Sequence, residues 1–398
     1  GMQKKRIGLI LIVWQKACLA CLKRHGIISR KMRIKNYSFY NIPKQYSLED
    51  YREAVDFITK KYSGIDGLMS VYSWGGSSVP GISDLDIIFV LDKSKASAMP
   101  LFKRVFYMLN SKFRYIARHP FFYIDSESFR NIRYVYPDAE FSLIYGKNIK
   151  INKISGRDYY FSRIALMSDI IVRHYPRDFL EQEIIKSINV RDMLLRLNSI
   201  KYSLRMLNAL TKDKNKRLSK GIKQIEDLRR DWFKRNNFDL LRLLNMEAIK
   251  TGMDIAENFK NFLDESGIVS VSGEIAEYNG ARNRTLFIKN WKKEKALSKM
   301  SKFILNKQDY CSILPIELAP QQIEYSKHKG SISTYVKNKL NHSLRYRLKY
   351  SDIIGKRATI FNKQAELASR LKHSDFVAFF DFGYRNKSGI NNFALNLL

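Results

Sequence analysis

Cysteine is scarce in this chain: Cys18, Cys21 and Cys311 are the only three in 398 residues. Three thiols cannot build a disulfide framework, and so few fit a reducing, cytoplasmic compartment. Cys18-x-x-Cys21 has no second ligand pair, so buried thiols on a helix are expected there rather than zinc. The six histidines show no metal-ligand spacing, and His119, just ahead of Pro120, reads as a loop residue. Acidic residues are also in deficit, with 38 Asp plus Glu against 71 Lys plus Arg, a formal charge of +33. That balance excludes an acid-surfaced protein and favours a polyanionic partner, either nucleic acid such as RNA or an anionic membrane surface. Internal repeats and low-complexity linkers are missing, which excludes a repeat array. Hydrophobic residues make up 45% of the chain, enough for two or three domains with real cores and against global disorder.

Long apolar runs are missing too. Lys4-Lys5-Arg6 followed by Ile7 to Trp14 superficially resembles a signal peptide, but Gln15 and Lys16 end the run and no small-residue cleavage site follows cleanly. The run is too short to span a bilayer. Together with Cys18, Leu19, Cys21 and Leu22 it predicts an amphipathic helix, docked on the protein or in peripheral contact with a membrane. Gly1 ahead of Met2 resembles a cloning scar and carries no weight.

What is present is a compact constellation: Trp74-Gly75-Gly76-Ser77-Ser78-Val79-Pro80-Gly81-Ile82-Ser83-Asp84-Leu85-Asp86-Ile87-Ile88-Phe89-Val90. Successive side chains of a strand point to opposite faces, so Asp84 and Asp86 project together while Leu85 and Ile87 face the other layer. Two carboxylates side by side repel unless a positive charge sits between them. A hard divalent cation suits them, because it takes carboxylate oxygens, keeps several waters and completes its shell with substrate phosphates. Upstream, Gly75 and Gly76 allow positive φ and close backbone approach, while Ser77 and Ser78 add hydroxyls beside N–H groups that can hold phosphate oxygens. An isolated Asp-x-Asp is usually a solvated strand end. Its conjunction with a Gly-Ser turn and flanking apolar strands is far rarer.

This segment resembles the signature of the DNA polymerase β-like nucleotidyltransferase superfamily, over a region from about Ser47 to about Lys150. The resemblance implies that Gly75, Gly76, Ser77 and Ser78 bind a nucleoside triphosphate, and that Asp84 and Asp86 hold Mg²⁺ (or Mn²⁺) with a third carboxylate from a neighbouring strand. Asp125, at the acidic end of the strand read from His119 to Asp125, is the expected third ligand. Glu140, before the apolar run Phe141 to Tyr145, is its rival. The implied reaction is in-line attack of an acceptor hydroxyl on the α-phosphorus, with the metal ions neutralising the leaving pyrophosphate and activating the acceptor. The connection from Ser77 to Asp84 is shorter than in many members, leaving less chain to wrap the triphosphate.

The flanks agree with this layout. Ser47-Leu48-Glu49-Asp50 reads as a capping box opening a helix, Gly64 and Gly67 end it, and Leu68 to Trp74 reads as a strand. Ala96 to Arg118 has helical spacing. From about Gly156 to Gly267 the pattern is helical, carried by Met193, Leu194, Leu197, Ile200, Leu204 and Leu207 among others. Strands are expected at Ile268–Ser272, Arg284–Ile288 and Phe376–Phe380, with helical spacing again from Ser333. The fold expected is α+β: an N-terminal basic amphipathic segment (1–46), a mixed-sheet nucleotidyltransferase domain (47–155), an α-helical domain (156–266) and a smaller mixed C-terminal region (267–398).

The acceptor is less constrained. Basic groups occur at Lys212 to Lys223, at Lys289 to Lys302 around Trp291, and interleaved with aromatics at Leu344-Arg345-Tyr346-Arg347-Leu348-Lys349-Tyr350. They suit RNA phosphates and unstacked bases, and equally a solvated helix flank. The alternatives are the same chemistry on a small molecule, a protein hydroxyl or a membrane-associated glycan precursor, and a binding module that kept the fold without the chemistry.

Overall fold

A reciprocal box opens helix α1 (Leu48–Tyr62): the Ser47 hydroxyl accepts from the Asp50 N–H at 3.1 Å, and the Ser47 N–H donates to the Asp50 carboxylate at 2.7 Å. The buried positions Tyr51, Ala54, Ile58 and Tyr62 recur at three- and four-residue steps, giving the helix one apolar face. Gly64 and Gly67, both at positive φ, turn the chain into a strand. The computed structural model describes residues 32–34, 36–76, 78–95, 109–211, 216–279, 284–306, 311–371 and 379.

The fold is α+β with mixed sheets. Strands β1 (Met32–Ile34) and β2 (Tyr37–Tyr40) precede α1, and β3 (Leu68–Trp74) and β4 (Asp86–Leu91) follow it. Next come helix α2 (Ser111–Ala117), β5 (Phe122–Asp125), the short helix α3 (Ser126–Arg130) and β6 (Phe141–Gly146). The central sheet has the order β5-β4-β3-β6, with β3 antiparallel to β4 and β6, and β4 parallel to β5. Leu85, Ile87, Phe89 and Leu91 face a layer that includes Tyr51, Ile58, Phe113 and Ile116, while Ile88 and Val90 face Tyr72, Phe122, Ile124 and Phe129. Each such fully buried side chain contributes about 1.5–3 kcal/mol. A surface ion pair such as Lys93–Glu366 at 2.7 Å contributes about 0–1 kcal/mol, so the apolar alternation of β4 fixes the sheet.

The helical stretch expected after Gly156 is present as α4 (Gly156–His174), α5 (Arg177–Ile184), α6 (Val190–Thr211), α7 (Lys216–Asp231) and α8 (Phe238–Glu265), with the short strand β7 (Ser187–Asn189) before α6. Met193, Leu194, Leu197, Ile200, Leu204 and Leu207 are all buried. β7 pairs in parallel with β2, which joins residues 37–40 to the strand before α6. Strands β8 (Val269–Ser272), β9 (Ile275–Asn279) and β10 (Arg284–Ile288) precede helix α9 (Lys293–Leu305) and β11 (Cys311–Pro315). Helices α10 (Ala319–Lys327) and α11 (Ser331–Lys337), strands β12 (Leu340–His342) and β13 (Arg345–Leu348), and helix α12 (Ser351–Arg370) follow. β11-β10-β9-β12 form a second sheet and β13 pairs with β8. Among the described residues no helix is long and apolar enough to cross a membrane. The amphipathic reading of Lys4 to Leu22, the start of the Ala96–Arg118 helix, and the Phe376–Phe380 strand apart from Phe379 lie outside the described residues.

One polar knot ties these layers together. Arg357 on α12 is only 1% exposed. Its guanidinium donates to the carbonyls of Tyr134 (2.6 Å) and Val135 (3.1 Å), to Tyr325 Oη (2.9 Å) and to the Asp169 carboxylate (2.6 Å). Gln321 donates to the other Asp169 oxygen at 2.6 Å. Gln364, further along α12, donates to the Tyr123 carbonyl of β5 at 3.1 Å. Helix α12 is therefore part of the wall of the central sheet. Replacing one partner of a buried pair strands the other, so Arg357→Met is expected to cost about 3–5 kcal/mol, against about 0–1 kcal/mol for Lys93→Met on the surface. Chemical unfolding curves check this; an unshifted midpoint for Arg357→Met would show the knot to be dispensable.

Candidate active site

Trp74 of β3 lies opposite both Asp86 of β4 and Phe141 of β6, so the Gly75-Gly76 turn, the carboxylate pair and Glu140 share one end of the sheet. Gly75 has φ +74°, and a Cβ on it or on Gly76 would meet nothing within 4 Å. Glycine at 75 answers to backbone conformation, not to crowding. Both glycines and Ser78 are exposed, and the Gly75 N–H donates to the Glu140 carbonyl at 3.4 Å. Ser77 lies outside the described residues.

Past the turn the chain is held tightly. Gly81 sits at φ +86° with the Lys44 carbonyl 2.1 Å from where a Cβ would be, so no other residue fits. The Tyr51 hydroxyl accepts from the Gly81 N–H at 3.0 Å and donates to the Ser83 carbonyl. Burial pushes this phenol up to about 12, so it remains a donor. The Tyr115 hydroxyl donates to the Gly81 carbonyl at 2.9 Å, and the Ser83 hydroxyl is bonded to the Val79 N–H at 3.2 Å. Asp84 therefore leaves a rigid loop.

Asp84 and Asp86 do project together, and a third side chain joins them: ligand atoms of Asp84, Asp86 and His119 lie within 4.8 Å of one another. Asp84 meets Arg118 Nη1 at 3.4 Å and Asp86 meets His119 Nε2 at 2.9 Å. The same Arg118 pairs with Asp192 at the start of α6. Arg118 has φ +63°, a left-handed conformation costing a non-glycine residue about 1–2 kcal/mol.

Two further arginines stand behind the pair. Arg191 and Arg229 are each 3% exposed. Arg191 stacks on the Tyr115 ring, 3.9 Å from its centroid, and donates to the Tyr115 carbonyl at 2.6 Å. Arg229 donates to the Leu194 carbonyl and reaches the Ser83 hydroxyl at 3.5 Å. Burial holds both guanidinium groups below the usual arginine range, Arg229 at about 10, and both remain cations at neutral pH. Burial alone would raise Asp84, but Arg118, His119 and Arg191 outweigh it and hold that carboxyl low. Asp86 is pushed up, by burial first and then by the charge of Asp84.

Asp125 is not brought to the pair. β4 and β5 are parallel and Asp125 lies opposite Leu91, five positions beyond Asp86, or about 17 Å along the strand. Its carboxylate caps α3, accepting from the Ser128 N–H at 2.9 Å and the Ser128 hydroxyl at 2.6 Å. Glu140 is at the correct end but exposed, with β3 between its strand and β4, a separation of about 10 Å. The sequence reading missed His119, Arg118, Arg191, Arg229 and Asp192. One signal was available: a strand–helix–strand connection makes the strands parallel, which puts the His119 end of β5, and not the Asp125 end, beside Asp86.

Comparison with protein-family models, curated proteins and solved structures returned no match. The loop clamp is open to test by itself. Tyr51→Phe leaves the Gly81 N–H and Ser83 carbonyl without their buried partner and is expected to cost about 1–3 kcal/mol, with faster hydrogen exchange at the Gly81 amide. Unchanged exchange there would show that the other contacts hold the loop.

Proposed function

We propose that this chain is a metal-dependent nucleotidyltransferase that moves a nucleoside monophosphate from an NTP to an acceptor hydroxyl. The observation that carries the reading is the meeting, within one hairpin, of an exposed glycine turn and a carboxylate pair at the same sheet edge. The donors fit a divalent ion: Asp84 and Asp86 supply carboxylate oxygens, their side chains are 21% and 27% exposed, and Mg²⁺ or Mn²⁺ takes such oxygens together with waters and phosphates. When bound, the metal would neutralise triphosphate charge and lower the pKa of the acceptor hydroxyl.

The remaining work falls to the chain. Gly75 and Gly76, with the serines that follow them, offer N–H and hydroxyl donors to the β and γ phosphates. The rigid Val79–Asp84 loop holds turn and carboxylates at a fixed separation, so little reorganisation remains when substrate arrives. Buried Arg191 and Arg229 add positive potential under a site that receives a polyanion. The charge of +33 supports a polyanionic acceptor such as RNA, and the exposed Arg345 and Arg347, two apart on β13, project to one side as phosphate ligands would. A second reading has its own support: Arg118 and His119 pair with both carboxylates, as in a nucleotide-binding module without turnover.

Incubation with labelled NTPs, Mg²⁺ or Mn²⁺, and RNA, metabolite and protein fractions separates the two. Wild-type protein is expected to transfer label, and Asp84→Ala/Asp86→Ala to lose roughly 100-fold or more of that activity. Transfer that survives the double substitution would refute the assignment, and nucleotide binding without transfer by the wild type would establish the module. RNA as acceptor carries a further mark, a steep fall in affinity with salt; a salt-insensitive acceptor would be a small molecule. Asp125→Asn keeps a good helix cap and is expected to retain turnover within a few-fold, and abolished turnover in a folded protein would return Asp125 to the site.

A further inference from the structure

The two ring nitrogens of His119 have different surroundings. Nδ1 lies 2.7 Å from the Pro120 carbonyl oxygen. A carbonyl only accepts, so Nδ1 carries the hydrogen and donates it. A neutral ring then turns the bare lone pair of Nε2 toward Asp86 Oδ1, 2.9 Å away. Two lone pairs facing at that distance repel, so the contact is attractive only with a proton or a metal ion between them. A ring tied through one nitrogen to a backbone carbonyl, with the other aimed among carboxylate oxygens, is the arrangement in which histidines ligate metals.

The spacing agrees. Adjacent donors on an octahedral ion with bonds of about 2.1 Å stand about 3.0 Å apart, close to the 2.9 Å between Nε2 and Oδ1. The parallel register leaves no carboxylate at this place: Phe122 lies opposite Ile88, which sets the residues just before it beside Asp84 and Asp86. A nitrogen donor stands where an oxygen donor was expected.

Resting on the nucleotidyl-transfer reading, we propose that His119 is the third protein ligand of the metal site and that its imidazole makes the site select a transition-metal dication of the Mn²⁺ class over Mg²⁺. Mg²⁺ is hard, favours oxygen and gains little from an imidazole, whereas first-row transition ions accept mixed oxygen and nitrogen sets. The exposed flank of the site leaves room for water and phosphate oxygens to complete the shell.

The test uses the full chain, stripped with EDTA and titrated with Mn²⁺ by electron paramagnetic resonance, with Mg²⁺ as competitor. Mn²⁺ is expected to bind about tenfold tighter than Mg²⁺ or better, and the bound Mn²⁺ to show nitrogen hyperfine coupling. His119→Ala should lose that coupling and weaken Mn²⁺ by about tenfold or more. His119→Asp restores an all-oxygen set and should erase the preference. Bound Mn²⁺ without nitrogen coupling, in wild-type protein, would overturn the proposal while leaving the nucleotidyltransferase reading intact, because His119 would then be an ion-pair partner of Asp86 only. The wild-type spectrum decides this even if a variant fails to fold. Absence of Mn²⁺ binding, or binding indifferent to Asp84→Asn and Asp86→Asn, would instead remove the functional reading and this proposal with it.

Discussion

Two carboxylates held side by side at the head of a strand repel each other, and the neighbourhood of Asp84 and Asp86 is organised around that repulsion. Arg118 bridges Asp84 and Asp192, His119 closes on Asp86, and Arg191 and Arg229 lie buried behind the loop that delivers the pair. No carboxylate lies within salt-bridge distance of Arg191 or Arg229 among the described residues; they are held by backbone carbonyls, a hydroxyl and a ring face. Burying such cations is costly unless negative charge is close by. Asp84 supplies it, so acids and arginines stabilise one another, and loss of either side is felt by both.

The same arrangement explains why the site is rigid on one side and open on the other. Between Val79 and Asp84 the Gly81 N–H and carbonyl and the Ile82 and Ser83 carbonyls bond to side chains on α1, α2 and α6, the Ile82 and Ser83 N–H groups close back on the Val79 carbonyl, and Gly81 is pressed against the Lys44 carbonyl. The Gly75-Gly76 turn is exposed and uncrowded. The side chains that hold the Val79–Asp84 loop come from separate stretches of chain, Tyr51, Tyr115, Arg191 and Arg229.

Charge acts at two scales. Two lysines of the basic groups are locally paired: Lys289 with Glu274 at 3.0 Å, and Lys293 with Asp254 at 2.9 Å and Glu257 at 3.1 Å. Arg345 and Arg347 differ. The alternation of β13 exposes both while burying Leu348 and tying Tyr346 to Glu324 at 2.8 Å. A helix would have spread the two guanidiniums over different faces. The strand lines them up on one.

By itself the sequence determined what depends on neighbours along the chain. The Ser47 box, the glycine breaks, the strand alternation of Asp86 to Phe89 and the three- and four-residue stripe from Met193 to Leu207 are local signals, and each forms the element its spacing implies, because capping and amphipathic periodicity act within a few residues; Asp84, read as part of that strand, lies two residues before it. Tertiary structure decided what depends on direction and approach. Asp125 belongs to the expected strand, but parallel pairing carries it to the far end, where it caps a helix. The same pairing brings His119, which looked like loop, to the carboxylates. Arg191 and Arg229 sit 107 and 145 positions along the chain from Asp84, and nothing in their surroundings marks them, since a buried cation is recognisable only once the groups that desolvate and balance it have folded around it.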